Sequence, residues 1–297
     1  MVKAGEVKKT DMIIVADSGS TKCDWILFDE ETKQVIETNT IGFNPFFHDE
    51  WFILNEVFAN NILREYGPRA THVYFYCAGG SSKELQMKVA RGLYINFKNA
   101  DIKVDHDLDG AAYATCDGNP GIACILGTGS NSCHFDGEKI HEEVPALAYI
   151  LGDEGSGSYY GKWLLRDYFY KRMPDNIRSE FEGWFKPNKE EIFERIYMMP
   201  HANVYLASFM RFCSEHRNEQ YIKDMVDEGM YDFLNTHVCC YKNYKTIPTH
   251  FVGSIAFYFE EVLRKHCANL GIQVGKITNK PVEGLLHYHL AKLGLSA

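Results

Sequence analysis

Two short stretches of this chain set glycine, hydroxyl and carboxylate residues together in a way that suits phosphate chemistry. The first is Asp17-Ser-Gly-Ser-Thr-Lys-Cys-Asp24 and the second is Leu126-Gly-Thr-Gly-Ser-Asn131. A loop of small residues lets backbone N–H groups and short side chains approach a phosphate closely. A carboxylate such as Asp17 can hold Mg2+ directly or through water. Asp107 and Asp109 supply carboxylates able to accept a hydroxyl proton during phosphoryl transfer. Gly152-Asp153-Glu154-Gly155-Ser156 sets two more between glycines, suited either to capping a helix or to taking hydrogen bonds from vicinal hydroxyls. Asn44, in Gly42-Phe-Asn-Pro45, reads as a turn residue.

Each loop is fed by an apolar run that reads as a buried strand. Met12 to Asp17 enters the first loop and Gly121 to Leu126 the second. Open α/β sheets place ligand-binding residues at such strand ends, which is where Asp17 falls. A shift of 110 positions lays Gly19, Ser20 and Cys23 on Gly129, Ser130 and Cys133, so the chain repeats its opening plan. Either loop alone is explained by the turn-forming habit of Gly and Ser. A strand–loop–strand unit present twice favours a pair of loops that clasp a polyphosphate.

The remaining pattern is alternating. Strands are expected at Cys23–Phe28, Gln34–Ile41, His72–Cys77 and Ile102–His106, with helices over about 49–66 and 82–97. After the second loop come strands Ser132–Phe135 and Lys139–Val144 around an Asp136-Gly137 turn. From Gly155 the pattern is helical, near 158–172, 189–199, 204–215 and 219–240. A strand at His250–Val252 enters Gly253-Ser254, and a helix then runs to a stop at Gly271. Two related α/β lobes, with helical insertions in the second, are the simplest architecture.

Composition narrows the function. The chain has 297 residues, enough for two compact domains, with 45% apolar and 24% charged residues. A net charge of −9 argues against nucleic acid as a partner. The nine cysteines include no CxxC and no zinc-like spacing, which fits a reducing cytoplasm. Met1 to Asp11 is polar and lacks the apolar stretch of a signal peptide, and no run approaches membrane-spanning length. A cytoplasmic protein is expected.

Several familiar signatures are missing. There is no GxxxxGK[ST], and the second loop lacks the third glycine of a dinucleotide fingerprint. Asp105-His-Asp107-Leu-Asp109-Gly110 copies the first half of a calcium loop, but Cys116 stands where a glutamate is required, so a surface turn is expected there.

Four motifs in this order resemble the N-acetylglucosamine kinase branch of the BadF/BadG/BcrA/BcrD ATPase family, within the sugar kinase, Hsp70 and actin superfold. They are the two loops, Gly152-Asp-Glu-Gly-Ser156 and Val252-Gly-Ser254. The resemblance implies two duplicated ribonuclease H-like lobes around an ATP cleft. The lobes would be residues 1–107, with a C-terminal helix (283–297) packing back on them, and 108–282. It also implies a homodimer that uses ATP and Mg2+ to phosphorylate an amino sugar such as N-acetylglucosamine at its 6-hydroxyl.

Roles carry over at the matching positions. Asp17 would place Mg2+, Gly19, Ser20, Thr21 and Lys22 would form the first phosphate loop, and Thr128, Gly129 and Ser130 the second. Gly253 and Ser254 would lie against adenosine, while Asn44, Asn131, Asp153 and Glu154 would meet the sugar. Asp107, in Asp-Leu-Asp-Gly-Ala-Ala112, matches the catalytic base, with Asp109 as a competing carboxylate. The first loop departs from the usual Asp-Gly-Gly in having Ser18, which is tolerable if that residue keeps an allowed φ. Two other readings stand beside this one: an ATPase activator of a 2-hydroxyacyl-CoA dehydratase-type partner, with an iron–sulfur cluster near Cys124 and Cys133, and a non-catalytic sugar-binding regulator.

Overall fold

The computed structural model describes residues 12–295; the polar stretch Met1–Asp11 lies outside them, as do residues 296 and 297. The described residues fall into two compact units, one reaching Gly110 and resuming at Val282, the other comprising Ala111–Pro281.

In the first unit, Met12 to Ala16 have no exposed surface, as an apolar run in the middle of a sheet should. They belong to β1 (Met12–Ser18), which pairs antiparallel with β2 (Lys22–Asp29), itself antiparallel to β3 (Val35–Ile41). On its other side β1 runs parallel to β4 (Ala70–Cys77), and β4 parallel to β5 (Asp101–His106), giving the order β3-β2-β1-β4-β5. Trp25, Phe43, Phe75 and Phe97 build an aromatic core beneath it.

The single helix expected over 49–66 is two, α1 (Glu50–Ala59) and α2 (Asn61–Tyr66). Asn60 breaks it by turning extended: its Oδ1 caps α2 through Leu63 N at 3.0 Å, and its Nδ2 reaches Thr38 Oγ1 at 2.9 Å. Next comes α3 (Lys83–Tyr94), capped by Ser82. The surface turn expected after β5 is instead the start of α4 (Asp107–Cys116). Asp107 and Asp109 lie in its first turn, where the helix dipole favours acidic residues.

The second unit repeats the plan. Strands β6 (Gly121–Leu126), β7 (Ser130–Phe135), β8 (Ile140–His141), β9 (Pro248–Val252) and β10 (Gln273–Thr278) lie in the order β10-β9-β6-β7-β8. Read from the other edge, this matches the first sheet strand for strand, with the same antiparallel and parallel pairings. Of the expected Lys139–Val144, only Ile140 and His141 pair, with Phe135 and His134. The edge strand β10 went unread, because Gln-Val-Gly-Lys-Ile-Thr has no apolar run.

Between β8 and β9 lie α5 (Ala148–Leu151), α6 (Gly157–Phe169), α7 (Asp175–Phe185), α8 (Lys189–Phe193), α9 (Ala202–Ala207), α10 (Met210–Glu215) and α11 (Gln220–His237). Their apolar faces join the sheet in a core that includes Tyr160, Phe181, Phe212, Phe233 and Phe251, all fully buried. α12 (Ser254–Tyr258) and α13 (Glu260–Leu270) follow β9, and Gly271, with φ of 73°, ends α13 in the left-handed conformation a C-terminal glycine permits. Finally α14 (Pro281–Lys292) returns to the first unit, where His289 stacks on Tyr74 and meets the Tyr76 hydroxyl at 2.7 Å. Among the described residues no helix is long and apolar enough to cross a membrane.

Candidate functional site

In the first unit Asp17 sits near the end of β1, opposite Asp24 on β2 and beside Tyr76 on β4. Its carboxyl is pushed up to about 7, first by burial and then by the charges of Asp107 and Asp24. Asp107 therefore acts on Asp17 although 90 residues separate them in sequence. The fold achieves this because β5 lies two strands from β1 and delivers α4 on the same side of the sheet.

Asp107 and Asp109 are two positions apart on α4 and so leave the helix in different directions. Asp107 has His106 Nε2 at 3.1 Å. Asp109 is raised to about 6, mainly by burial, with Asp105 and Asp107 adding and His106 opposing.

The first loop is shaped by close backbone packing. Gly19 N donates to Lys22 O at 3.0 Å, and Gly42 N donates to Thr21 O at 3.2 Å. A Cβ on Gly42 would fall 2.0 Å from Gly19 O, so no side chain fits there. Lys22 Nζ is paired with Asp24 at 2.6 Å, and Ser20 and Thr21 are at the loop tip. Ser18 is part of β1 with no left-handed φ, and its hydroxyl accepts from Phe43 N at 2.7 Å. That bond ties the strand end to the residue before Asn44, a function the sequence did not reveal.

Asn44 is 8% exposed and folds its Oδ1 onto Phe46 N at 3.0 Å, the turn role read from sequence. Gly79, at φ 78°, comes so near that an added Cβ would stand 2.5 Å from Asn44 Oδ1. The loop Cys77-Ala-Gly-Gly80 thus borders Asn44.

The second unit organises its loop around Asp153. That residue is 8% exposed, in the left-handed region at φ 59°, with Oδ1 accepting from Ser130 N and Oδ2 from Ser158 Oγ, each at 3.3 Å. Burial raises its carboxyl, while those two bonds and the Lys162 charge oppose the rise. A Cβ on Gly129 would lie 2.9 Å from Asp153 Oδ2. Thr128 O accepts from Ser158 N at 3.0 Å, and Gly127 O from Gly157 N at 2.8 Å, so the loop lies on the start of α6.

Gly253 joins the same loop: at φ 115°, an added Cβ would meet Leu126 O at 2.4 Å. Ser254 beside it is exposed at the start of α12. Asn131 Oδ1 turns back onto Ser132 N at 2.8 Å. Glu154 is held by His237, whose Nε2 lies 3.0 Å from Glu154 Oε2.

Within the first unit the fold thus gathers Asp17, the Gly19–Lys22 loop and Asp107. Within the second it gathers Thr128–Ser130, Asn131, Asp153, Glu154, Gly253 and Ser254. Sequence reasoning missed Ser18, Ser158, Lys162 and His237, whose motif partners lie 5 to 83 positions away apart from Lys162, coupled by charge alone.

Among the described residues no group of three or more His, Cys, Asp or Glu side chains is arranged to hold a metal ion. The segment that copies half a calcium loop is the end of β5 and the start of α4. Asp17 still suits Mg2+, which keeps its waters and commonly takes one or two carboxylates plus substrate phosphates.

No protein-family model matches the chain, and no curated protein matches it. Among solved structures it is similar to a candidate N-acetylglucosamine kinase from Porphyromonas gingivalis, with 35% identity and a TM-score of 0.87 over 95% of this chain and 100% of that one. A candidate N-acetylglucosamine kinase from Chromobacterium violaceum superposes with a TM-score of 0.69 at 13% identity, over 94% of this chain and 99% of that one. A ROK-family transcriptional regulator, a homologue of E. coli Mlc, gives a TM-score of 0.53 at 10% identity, over 93% and 77% of the two chains. The latter two likenesses are likenesses of fold alone.

Proposed function

This chain belongs to the N-acetylglucosamine kinase-like family of the actin-like ATPase fold, and we propose on that footing that it transfers the γ-phosphate of ATP to the 6-hydroxyl of an amino sugar, N-acetylglucosamine foremost. The observation that carries the reading is that the parallel strands β1 and β5 end on the same side of the sheet, so that α4 starts with Asp107 where its charge raises the Asp17 carboxyl. One carboxylate there can serve the metal and the other the hydroxyl proton.

In this mechanism Asp107 accepts the proton as the sugar oxygen attacks phosphorus in line, a base contribution of roughly 10²–10⁴-fold. Asp109 leaves α4 in another direction and is given no part in the proton transfer in this reading. Gly19, Ser20, Thr21 and Lys22, with Thr128, Gly129 and Ser130, hold the phosphates through backbone N–H groups and short side chains. Asp17 would hold Mg2+, which supplies charge neutralisation at the phosphates when bound. Gly253, packed against the Leu126 carbonyl, and the exposed Ser254 beside it lie against adenosine in this reading. Asn44, Asn131, Asp153 and Glu154 accept or donate hydrogen bonds at the sugar.

The activator reading loses support from the cysteines. Cys124 and Cys133 are wholly buried within β6 and β7, where thiolates shared across a dimer would need to be at a surface. A pure regulator would have no use for the Asp17–Asp107 approach.

ADP release should be measured with Mg2+-ATP across amino sugars and plain hexoses, with a control lacking sugar. Turnover confined to N-acetylglucosamine or a near relative is the expected result. Hydrolysis indifferent to sugar, or sugar binding with no turnover at all, would sink the proposal.

A further inference from the structure

His237 is the last residue of α11 and is 3% exposed. Its Nε2 lies 3.0 Å from Glu154 Oε2. An ionised carboxylate has no hydrogen to give, so Nε2 carries the proton and donates it. Nδ1 is buried with no partner, and an N–H there would be left without an acceptor. The geometry is that of a ring whose Nε2–H points at Glu154 and whose Nδ1 faces no acceptor.

That ring is held in place. Phe233 stacks against it at a centroid distance of 5.3 Å. The His237 carbonyl accepts from Ser132 Oγ at 2.6 Å, and the same hydroxyl meets Tyr241 at 3.1 Å. Glu154 is fixed from its own side, since Ser130 Oγ donates to its carbonyl at 2.8 Å. The outcome is a carboxylate with one oxygen tied to a rigid donor. Its other oxygen, Oε1, accepts no hydrogen bond from the described residues, the nearby Lys162 acts on the carboxylate by charge, and the side chain keeps 26% exposure.

We propose that His237 is a positioning residue for the sugar: it aims Glu154 so that Oε1 accepts a hydrogen bond from a substrate hydroxyl. The role in substrate recognition rests on the amino-sugar kinase reading, whereas the His237–Glu154 pairing does not. Asp153 and Glu154 then divide the work, one locked onto the Ser130–Ser158 loop and the other steered from α11.

Two measurements on the full chain separate these layers. In the unliganded protein with 15N-labelled histidine, long-range 1H–15N spectra should show His237 with its proton on Nε2, and Glu154→Ala should shift that resonance. An unmoved resonance overturns the pairing. In steady-state kinetics, His237→Ala should raise KM for the sugar on the order of tenfold through loss of one bond to a charged group. KM for ATP should stay unchanged.

His237→Gln, whose amide can still donate and which preserves most of the buried volume, should recover most of that loss. The double variant His237→Ala with Glu154→Ala should be no worse than Glu154→Ala alone. Equal rises in both KM values, additive losses, or failure of the glutamine to recover sugar KM would each refute the positioning role. An intact tautomer shift in a protein that phosphorylates no sugar removes the kinase reading and the sugar role with it, while the pairing stands.

Discussion

The duplication offers a matched pair of substitutions whose outcomes should differ. Gly19 and Gly129 occupy equivalent places in the two loops, and neither has a left-handed φ, so alanine is allowed by the backbone at both. At Gly19 the nearest atom to an added Cβ is Lys22 O at 3.7 Å, an ordinary contact. At Gly129 the same carbon would lie 2.9 Å from Asp153 Oδ2 and 3.1 Å from Oδ1. Relief requires the carboxylate to retreat by about 0.5 Å to reach a normal separation. Its bonds to Ser130 N and Ser158 Oγ are already 3.3 Å long, so that retreat breaks both.

Losing them should cost about 1.5–3 kcal/mol. Both alanines restrict the unfolded chain equally, so the difference between variants isolates this native contact. Gly129→Ala should melt below Gly19→Ala by about 3–12 °C, at roughly 2–4 °C per kcal/mol for a protein of this size. Its sugar KM should rise on the order of tenfold, because a carboxylate displaced by a fraction of an ångström no longer meets its hydroxyl. Differential scanning calorimetry and sugar-titration kinetics read the two effects. Melting temperatures within about 1 °C of each other, together with an unchanged sugar KM, would show that the Asp153–loop contact is not what positions the site.

Three further outcomes follow from the geometry. Asp107→Asn should lower kcat by roughly 10²–10⁴-fold, while Asp109→Asn, on another face of α4, should lower it far less; the reverse order would move the base to Asp109. His289 is depressed from 6.5 to about 3, first by burial and then by Lys103 and His72, so the unfolded chain binds its proton first as pH falls. Its contribution is complete above pH 6.5 and is lost toward pH 3, at up to about 1.4 kcal/mol per pH unit. Urea titrations at pH 7.5 and 5 should therefore show a loss that His289→Gln reduces, and an unaltered slope in that variant would exclude His289 as a source. Gly253→Ala meets both a left-handed φ of 115° and a 2.4 Å contact with Leu126 O, so it should cost several kcal/mol and reduce the soluble yield. Wild-type stability in that variant, measured by urea denaturation, would contradict the packing described here.

Some of this was written locally in the chain. Met12–Ala16 and Gly121–Leu126 are apolar runs that can only be buried, and the glycines after them can only be turns. The offset of 110 positions joined those two facts into a duplication, and the two sheets have the same strand order. Gly271 and the Ser82 cap set helix ends through interactions within a few residues. Signals of that kind survive in sequence because both partners lie in one window.

Tertiary structure decided the rest. Asn60 breaks a helix because Thr38, on a neighbouring strand, offers a partner that the local pattern does not contain. β10 is a strand because β9 supplies its hydrogen bonds, although its own residues lack the apolar signature. Asp107 acts on Asp17 only because β1, β4 and β5 run parallel and so end on the same side of the sheet. His237 holds Glu154 across 83 residues through a buried ring whose identity no motif marks. The sequence determined which groups could do chemistry, since residue type and local turns are intrinsic to the chain. Which of them meet, and how each is charged, depends on burial and long-range pairing that exist only once the sheets have formed.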